Sequence, residues 1–379
     1  MGAGPAGAMS ALALARRQLR VLLVDKAAFP RSKVCGSCLN GRALALLDAF
    51  GLGSLPVRLG GVRLEAACLA AKGRQARLPL PGGMSLSRFV FDAGLIEAAI
   101  EAGAHFLPET TASLASPHDV PAQRELCLKQ HDATVQASAR IVIAADGLGG
   151  RLLGERRPRA DSRIGVGVLL PDRSGYAPGA VYLACGTGGY VGVVCVEHGQ
   201  LDVAAALDTA FLRSMGSAGE AARVLFEEAG LPCPAGVVDA DWRGTQPLTH
   251  SAPRLGDHRL FLVGDTAGYV EPFTGEGIAW ALAGAAALAP IAAQGVRDWQ
   301  PGLVAEWSSL HRQIVGRRQR TCRALAWLLR RPRLTSLLLG TLARWPGLAR
   351  PFVRQLNGPA DTALSAVDYG RPPDAVRLQ

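Results

Sequence analysis

Short apolar runs that stop at an acidic residue or a glycine recur along this chain, and each reads as a buried strand feeding a turn. VLLVDK carries Asp25 at its end, IVIAAD carries Asp146, and Leu260, Phe261, Leu262 and Val263 lead into Gly264-Asp265. Helical patterns occupy ALALARR near the start and LSRFVFDAGLIEAAIEAGA from Leu86 to Ala104. Between them lie RLEAACLAAKG, RIGVGVLL, GAVYLACGTGGYVGVVCVE and QLDVAAALD, continuous or alternating Val, Leu and Tyr runs punctuated by glycine. Such runs predict a mixed sheet.

These elements predict an α/β protein in three parts. A discontinuous Rossmann-like domain is expected from 1–58, 86–157 and 252–312, and a mixed β-sheet domain inserted into it from 59–85 and 158–251. A basic, amphipathic helical segment covers 313–379. Gly277 to Val296 carries no charge and is long enough to span a bilayer. It is dominated by Ala and contains Pro290, so a helix packed inside the first domain is expected instead. The segment CRALAWLLRRPRLTSLLLGTLARWPGLARPFVRQL interleaves Leu and Trp with Arg and is broken by Pro332 and Pro346. Short helices with an apolar face and a cationic rim follow, suited to an anionic membrane surface or a greasy substrate entrance. A helical cap with solvated arginines is the competing expectation.

Glycines change the picture from fold to chemistry. MGAGPAG places Gly2, Gly4 and Gly7 at G-x-G-x-x-G spacing. Gly2 permits a tight turn, Gly4 lets the backbone approach phosphates, and Gly7 lets the helix pack on the sheet. Helix N-terminal N–H groups then meet a dinucleotide pyrophosphate with a favourable dipole. Asp25 stands about 20 positions on, where ribose hydroxyls are held. The strand that should precede these glycines is missing, because Met1 occupies its last position. Loss of several residues before Met1 is therefore expected, as through a misassigned start codon. An apolar strand encoded in frame upstream would support this, and an upstream stop codon would refute it.

Two further motifs, AADGLGGR with Asp146 and Gly147, and FLVGDTAGYVEPFTGEGI with Gly264, Asp265, Gly275 and Gly277, follow in order. Asp265 at a strand end can accept from sugar or ribitol hydroxyls, although an N-cap would use the same residue. PFTGEGI opens a helix whose N–H groups can stabilise negative charge. GTGGYVG, from Gly186 to Gly192, lacks strand–turn–helix context and is not a second dinucleotide loop.

Composition bounds the partners. The chain has 379 residues, 49% hydrophobic and 19% charged, with a net charge of +10. No Lys-rich tract or nucleic-acid module is present, so the excess points to an anionic cofactor or membrane surface rather than nucleic acid. Eight cysteines show no disulfide framework and no signal peptide begins at Met1, which predicts a cytoplasmic, reducing setting. Cys35-Gly-Ser-Cys38 lacks the second ligand pair of a zinc site. It reads as a redox pair or as two buried thiols.

Taken together, the three motifs resemble the FAD-dependent oxidoreductases of p-hydroxybenzoate hydroxylase fold, and within them the geranylgeranyl reductase-like group. FPRSKVCGSCL (Phe29 to Leu39) resembles that group's Phe-Pro-Arg-x-Lys-x-Cys-Gly element, and the Leu86–Ala104 segment its Arg-x-x-Phe-Asp-x-x-Leu helix. The resemblance implies that Gly2, Gly4, Gly7 and Asp25 serve the ADP half of FAD. It places Arg88 and Asp265 along the ribityl–pyrophosphate part, with Gly275 and Gly277 facing the isoalloxazine. Asp146 belongs to a motif that serves both FAD and NAD(P)H in related hydroxylases, and the cysteine matching Cys35 lies near the flavin. Gly150 departs from the Ser usual in hydroxylases.

With one dinucleotide fingerprint, the reductant is expected to be transiently bound NAD(P)H or a separate carrier. Hydride transfer to an activated double bond would make the chain a reductase of lipidic alkenes. Reaction with oxygen would make it an aromatic hydroxylase, needing a phenol base among His198, His250, Tyr190 and Tyr269. No halogenase Trp-x-Trp-x-Ile-Pro element or catalytic lysine stands out. A non-catalytic binding or redox-sensing module is the third reading.

Overall fold

The computed structural model describes residues 1–115, 122–150, 152–153, 157–171, 175–271 and 273–358. Pro272, within the third glycine motif, and 359–379 of the C-terminal segment lie outside the described residues.

Parallel strand pairs require long crossovers, and the chain supplies them. Leu22–Val24 pairs in parallel with His105–Leu107, and Val142–Ala144 with Leu260–Leu262. Met1 and Gly2 stand between these two pieces. The Met1 N donates to Ile143 O (2.8 Å), Ala145 N donates to Met1 O (2.8 Å), and Gly2 N donates to Val24 O (2.7 Å). Those bonds place Met1 in the line of a central strand, with the glycine turn directly after it.

The helix Pro5–Ala15 is buried along its whole length, and Gly277–Arg297 packs beside it. Residues of this size let helix backbones approach closely, and a helix apolar all round belongs in a core. The apolar window of Gly277–Arg297 is 83% buried, so its hydropathy reflects a core position. Leu12, Leu282 and Leu288 are fully buried there, each stabilising the fold by roughly 2 kcal/mol.

A second sheet has seven strands, in the order Arg243–Pro247, Ile164–Leu170, Leu201–Leu207, Gly189–Cys195, Ala180–Gly186, Ala66–Ala71 and Arg74–Pro79. All neighbours are antiparallel except Ala180–Gly186 with Ala66–Ala71. The Gly186–Gly192 run is a hairpin turning at Thr187-Gly188 and is followed by a strand rather than a helix, in keeping with its not being a dinucleotide loop. Alternation along these strands divides the sheet's faces. Ala184 and Val191 pack under the helix Ala218–Ala229, which Ser217 caps at one end and left-handed Gly230 at the other. Cys185 and Tyr190 point the opposite way, toward the C-terminal helices Arg317–Leu329, Pro332–Arg344 and Arg350–Asn357. Leu329, Leu339, Leu342 and Val353 of those helices close over that face.

Candidate active site

Backbone geometry explains why the first motif must be glycine. Gly2 has φ +87°, and a Cβ there would lie 2.3 Å from the carbonyl oxygen of Ala145. A Cβ on Gly7 would lie 1.7 Å from the carbonyl oxygen of Gly2. Asp25 fixes the same turn by accepting from Ala3 N (2.7 Å) and Ala27 N (2.9 Å). Gly4 differs. It is the N-cap of the Pro5–Ala15 helix, which has no side-chain cap, and a Cβ would meet only the guanidinium ends of Arg88 (3.3 Å) and Arg31 (3.7 Å).

Gly4, Cys35, Arg88, Gly147, Asp265, Gly275 and Gly277 line one cavity of about 120 Å³. Gly2, Gly7, Asp25, Asp146 and Gly264 stand behind its wall and shape it. Gly264 has φ +69°, and a Cβ there would be 2.7 Å from Ala6 Cβ, so this turn also needs glycine. The Asp146 carboxylate accepts from Thr266 Oγ1 (2.8 Å). It also occupies the space a Cβ on Gly150 would need, 2.3 Å from Oδ1, which accounts for glycine at that departure from the hydroxylase pattern. Asp265 lies within a turn whose N-cap is Val263, so it is not a cap; it faces the cavity.

Three cations gather at the uncapped helix end. Arg88 donates to Asp92 through Nε (2.6 Å) and Nη2 (2.7 Å), and Arg31 donates to Asp92 at 3.2 Å. Burial opposes the charge on Arg88, but its pairing with Asp92 outweighs that and raises its pKa. Lys33, beside Gly147 in the cavity wall, makes no ion pair among the described residues. Burial first, and Arg88 second, push its pKa down. Lys33 without an ion pair, the amides at one helix N-terminus and the guanidinium ends of Arg31 and Arg88 beside them form an anion site, and this arrangement fits the pyrophosphate of FAD. No spacing rule singles out Arg31 or Lys33; their place inside FPRSKVCG is the signal they carry.

A second, larger cavity of about 420 Å³ adjoins the first, sharing Cys35, Gly36, Cys38, Tyr269 and Gly275 in its walls. Its other walls are Leu69, Leu78, Leu183, Tyr190, Gly192 and Ala204 of the second sheet and Leu328, Leu329, Leu339, Leu342 and Val353 of the C-terminal helices. Burial and then Asp265 raise the Tyr269 hydroxyl well above 10, and burial raises the Cys35 thiol, so both keep their protons at neutral pH. The helix Gly277–Arg297 begins at the junction, with Gly277 and Ile278 in the smaller cavity's wall. His198 lies exposed in a turn, and His250, although buried, lines neither cavity.

The C-terminal cap is tied to the third glycine motif. Arg318 donates to Glu276 (3.2 Å), Cys322 to Glu276 (3.4 Å), and Gln319 to the carbonyl oxygen of Gly268 (3.0 Å).

Residues 1–157 match the family described as FAD binding domain. Menaquinone reductase of Mycobacterium tuberculosis is 29% identical over 367 residues, covering 88% of this chain and 84% of that protein. Digeranylgeranylglycerophospholipid reductase 1 of Methanopyrus kandleri is 28% identical over 313 residues, covering 74% and 76%. The p-nitrophenol 4-monooxygenase PnpA of Pseudomonas putida shares the fold with a TM-score of 0.74 at 16% identity, covering 94% and 97%. The chain is similar to the FAD-dependent oxidoreductases of p-hydroxybenzoate hydroxylase fold, and within them to the geranylgeranyl reductase-like group, with the FAD binding domain matched over residues 1–157.

Proposed function

We propose that this chain reduces a carbon–carbon double bond in a long, hydrophobic isoprenoid-type substrate, with NAD(P)H or another carrier as electron source. The observation that carries this reading is the aliphatic cavity of about 420 Å³ opening beside the glycine-lined one. That volume is in the range of small-molecule sites, and its leucine walls suit a prenyl chain. Relatives named as reductases of menaquinone and of digeranylgeranylglycerophospholipid support the same direction.

Bound FAD supplies the hydride-transfer chemistry. Arg31, Lys33, Arg88 and the amides at Gly4 would hold its diphosphate. Gly275, with φ +68°, keeps the wall between the cavities free of a side chain. Saturating an alkene also consumes a proton, and Tyr269 Oη and Cys35 Sγ hold protons at the wall common to both cavities. The leucines of the cap line the approach to that junction.

An aromatic hydroxylase needs a base for its phenol. Tyr190 and Tyr269 are kept protonated by burial and the two candidate histidines lie off the cavities, so the reductase reading stands ahead.

The test is anaerobic. The FAD-loaded chain, chemically reduced, is mixed with menaquinone or a digeranylgeranyl lipid, and flavin absorbance and product mass are followed. Flavin reoxidation with a gain of two hydrogens located in the prenyl chain, and kept after any quinol ring is reoxidised in air, supports the reading. Reoxidation only when oxygen is admitted, with oxygen inserted into a supplied phenol, overturns it in favour of a hydroxylase.

A further inference from the structure

The helix Pro332–Arg344 has two apolar sides. Thr335, Leu339 and Leu342 are buried toward the sheet, while Leu334, Leu337 and Leu338 face outward. Leu337 and Leu348 are each 62% exposed, Trp345 57% and Trp327 54%, so this region presents several large apolar side chains rather than a stray leucine. Exposed apolar patches of this kind mark interaction sites.

Charge identifies the partner. Between Glu306 and Asp361 there are eleven arginines and no Asp or Glu. A second copy of the chain meeting this face about a two-fold axis would set arginine against arginine. An anionic bilayer has the opposite charge and accepts the leucines. The aromatics are of the interfacial type: the Arg331 guanidinium lies 3.6 Å over the Trp327 ring, and the Arg344 guanidinium 5.8 Å from that of Trp345. Leu338 and Leu348 belong both to this surface and to the lining of the larger cavity. Two leucines of the patch therefore also form part of the cavity's wall.

We propose that the outer face of Pro332–Arg344 and the turn Pro346–Ala349 docks on anionic bilayers, with the gap between Leu338 and Leu348 as the passage from lipid to cavity. Docking stands on the exposed face alone; the passage of substrate rests on the reading under Proposed function.

The full FAD-loaded chain is mixed with phosphatidylcholine vesicles, with or without phosphatidylglycerol, and sedimented. Lipids brominated near the headgroup report contact by quenching tryptophan. Binding to the anionic vesicles, with quenching removed by Trp327→Phe/Trp345→Phe, is expected. Leu334→Gln/Leu337→Gln/Trp345→Gln weakens binding by about tenfold or more while flavin content and Tm stay unchanged. Arg333→Gln/Arg344→Gln removes much of the preference for anionic lipid. The full chain staying in the supernatant overturns the proposal, as does equal partition of the triple variant and the parent. A dimer that the triple variant converts to monomer, with vesicle partition unchanged, overturns it in favour of a second copy. In turnover, the triple variant should lose activity on vesicle-embedded substrate and keep it on detergent-dispersed substrate; loss of both overturns the proposal. A parent chain that binds vesicles but reduces no alkene leaves docking supported and removes only the proposed reaction.

Discussion

Arg163 and Glu271 form an ion pair of 3.0 Å with each side chain 1% exposed, joining the second sheet to the loop of the third glycine motif. Arg330 of the cap reaches the same carboxylate at 3.6 Å and Asp208 at 2.9 Å. Burial raises the Glu271 pKa while Arg163 opposes the shift. Removing Arg163 leaves the buried carboxylate only the longer contact from Arg330 at 3.6 Å, which costs up to about 3–5 kcal/mol. Arg163→Leu is therefore expected to lower stability by that order in chemical denaturation. Its penalty should shrink in acid, where Glu271 takes up a proton. Arg163→Leu/Glu271→Leu should recover more than half of the loss; a double variant as unstable as the single one would refute the pairing argument.

The glycine turn separates folding from cofactor retention. At Gly7 the added Cβ meets backbone at 1.7 Å, so Gly7→Ala must displace the turn. At Gly4 it meets only guanidinium ends at 3.3 and 3.7 Å, which can swing aside. Gly7→Ala should lose flavin and several kcal/mol of stability. Gly4→Ala should fold with little change in Tm and hold FAD about tenfold or more weakly. Absorbance of the purified variants and their thermal melts decide between these outcomes.

What could be read beforehand follows the same division. Gly2, Gly7 and Gly264 announce themselves because they sit in short motifs whose turns need glycine, by a positive φ at Gly2 and Gly264 and by the Gly2 carbonyl at Gly7, and those constraints are local. That Gly186–Gly192 is not a second dinucleotide loop was legible for a related reason, since strand runs flank it on both sides. Lys33 was not legible, because a lysine between a serine and a valine reads as surface until a fold buries it. Nor was the large cavity. Its walls bring Tyr190 and Cys185 against Leu339 and Val353, and no spacing rule links segments that far apart. The Arg163–Glu271 pair, 108 positions apart, is hidden in the same way. The C-terminal segment gave its amphipathic character from sequence, but which leucines turn inward was decided by packing on the sheet.

Two buried titrations oppose each other in mild acid. His311 is buried beside Trp307, and burial lowers its pKa from 6.5 to about 4. The unfolded chain binds that proton first, so this contribution to stability is present above pH 6.5 and is lost as pH falls toward 4. Asp202 is raised by burial from 3.8 to about 7. Here the folded chain holds the extra proton, so stability is present below pH 3.8 and lost as pH rises toward 7. Each slope is about 1.4 kcal/mol per pH unit, and their signs are opposite between pH 4 and 6.5. His311→Phe should therefore make stability fall with rising pH across that window relative to the parent, and Asp202→Asn should make it rise. Denaturation midpoints of the three proteins at several pH values test the assignment; parallel profiles would refute it.

The larger cavity admits a test by filling it. Ala204, on the central strand Leu201–Leu207, and Gly192, opposite it on Gly189–Cys195, are paired and both contribute to the cavity wall. A phenyl ring at 204 takes up room that the proposed prenyl chain would use, while the glycine-lined cavity lacks Ala204 in its wall. Ala204→Phe is expected to keep FAD and to cost no more than about 1–3 kcal/mol of stability from overpacking. Its KM for a long isoprenoid should rise by about tenfold or more, with a much smaller change for a short analogue that needs only the junction near Tyr269. Loss of flavin in this variant would mean that the two cavities are not independent. Equal effects on long and short substrates would mean that the chain lies elsewhere, and the leucine-lined space would then need another occupant.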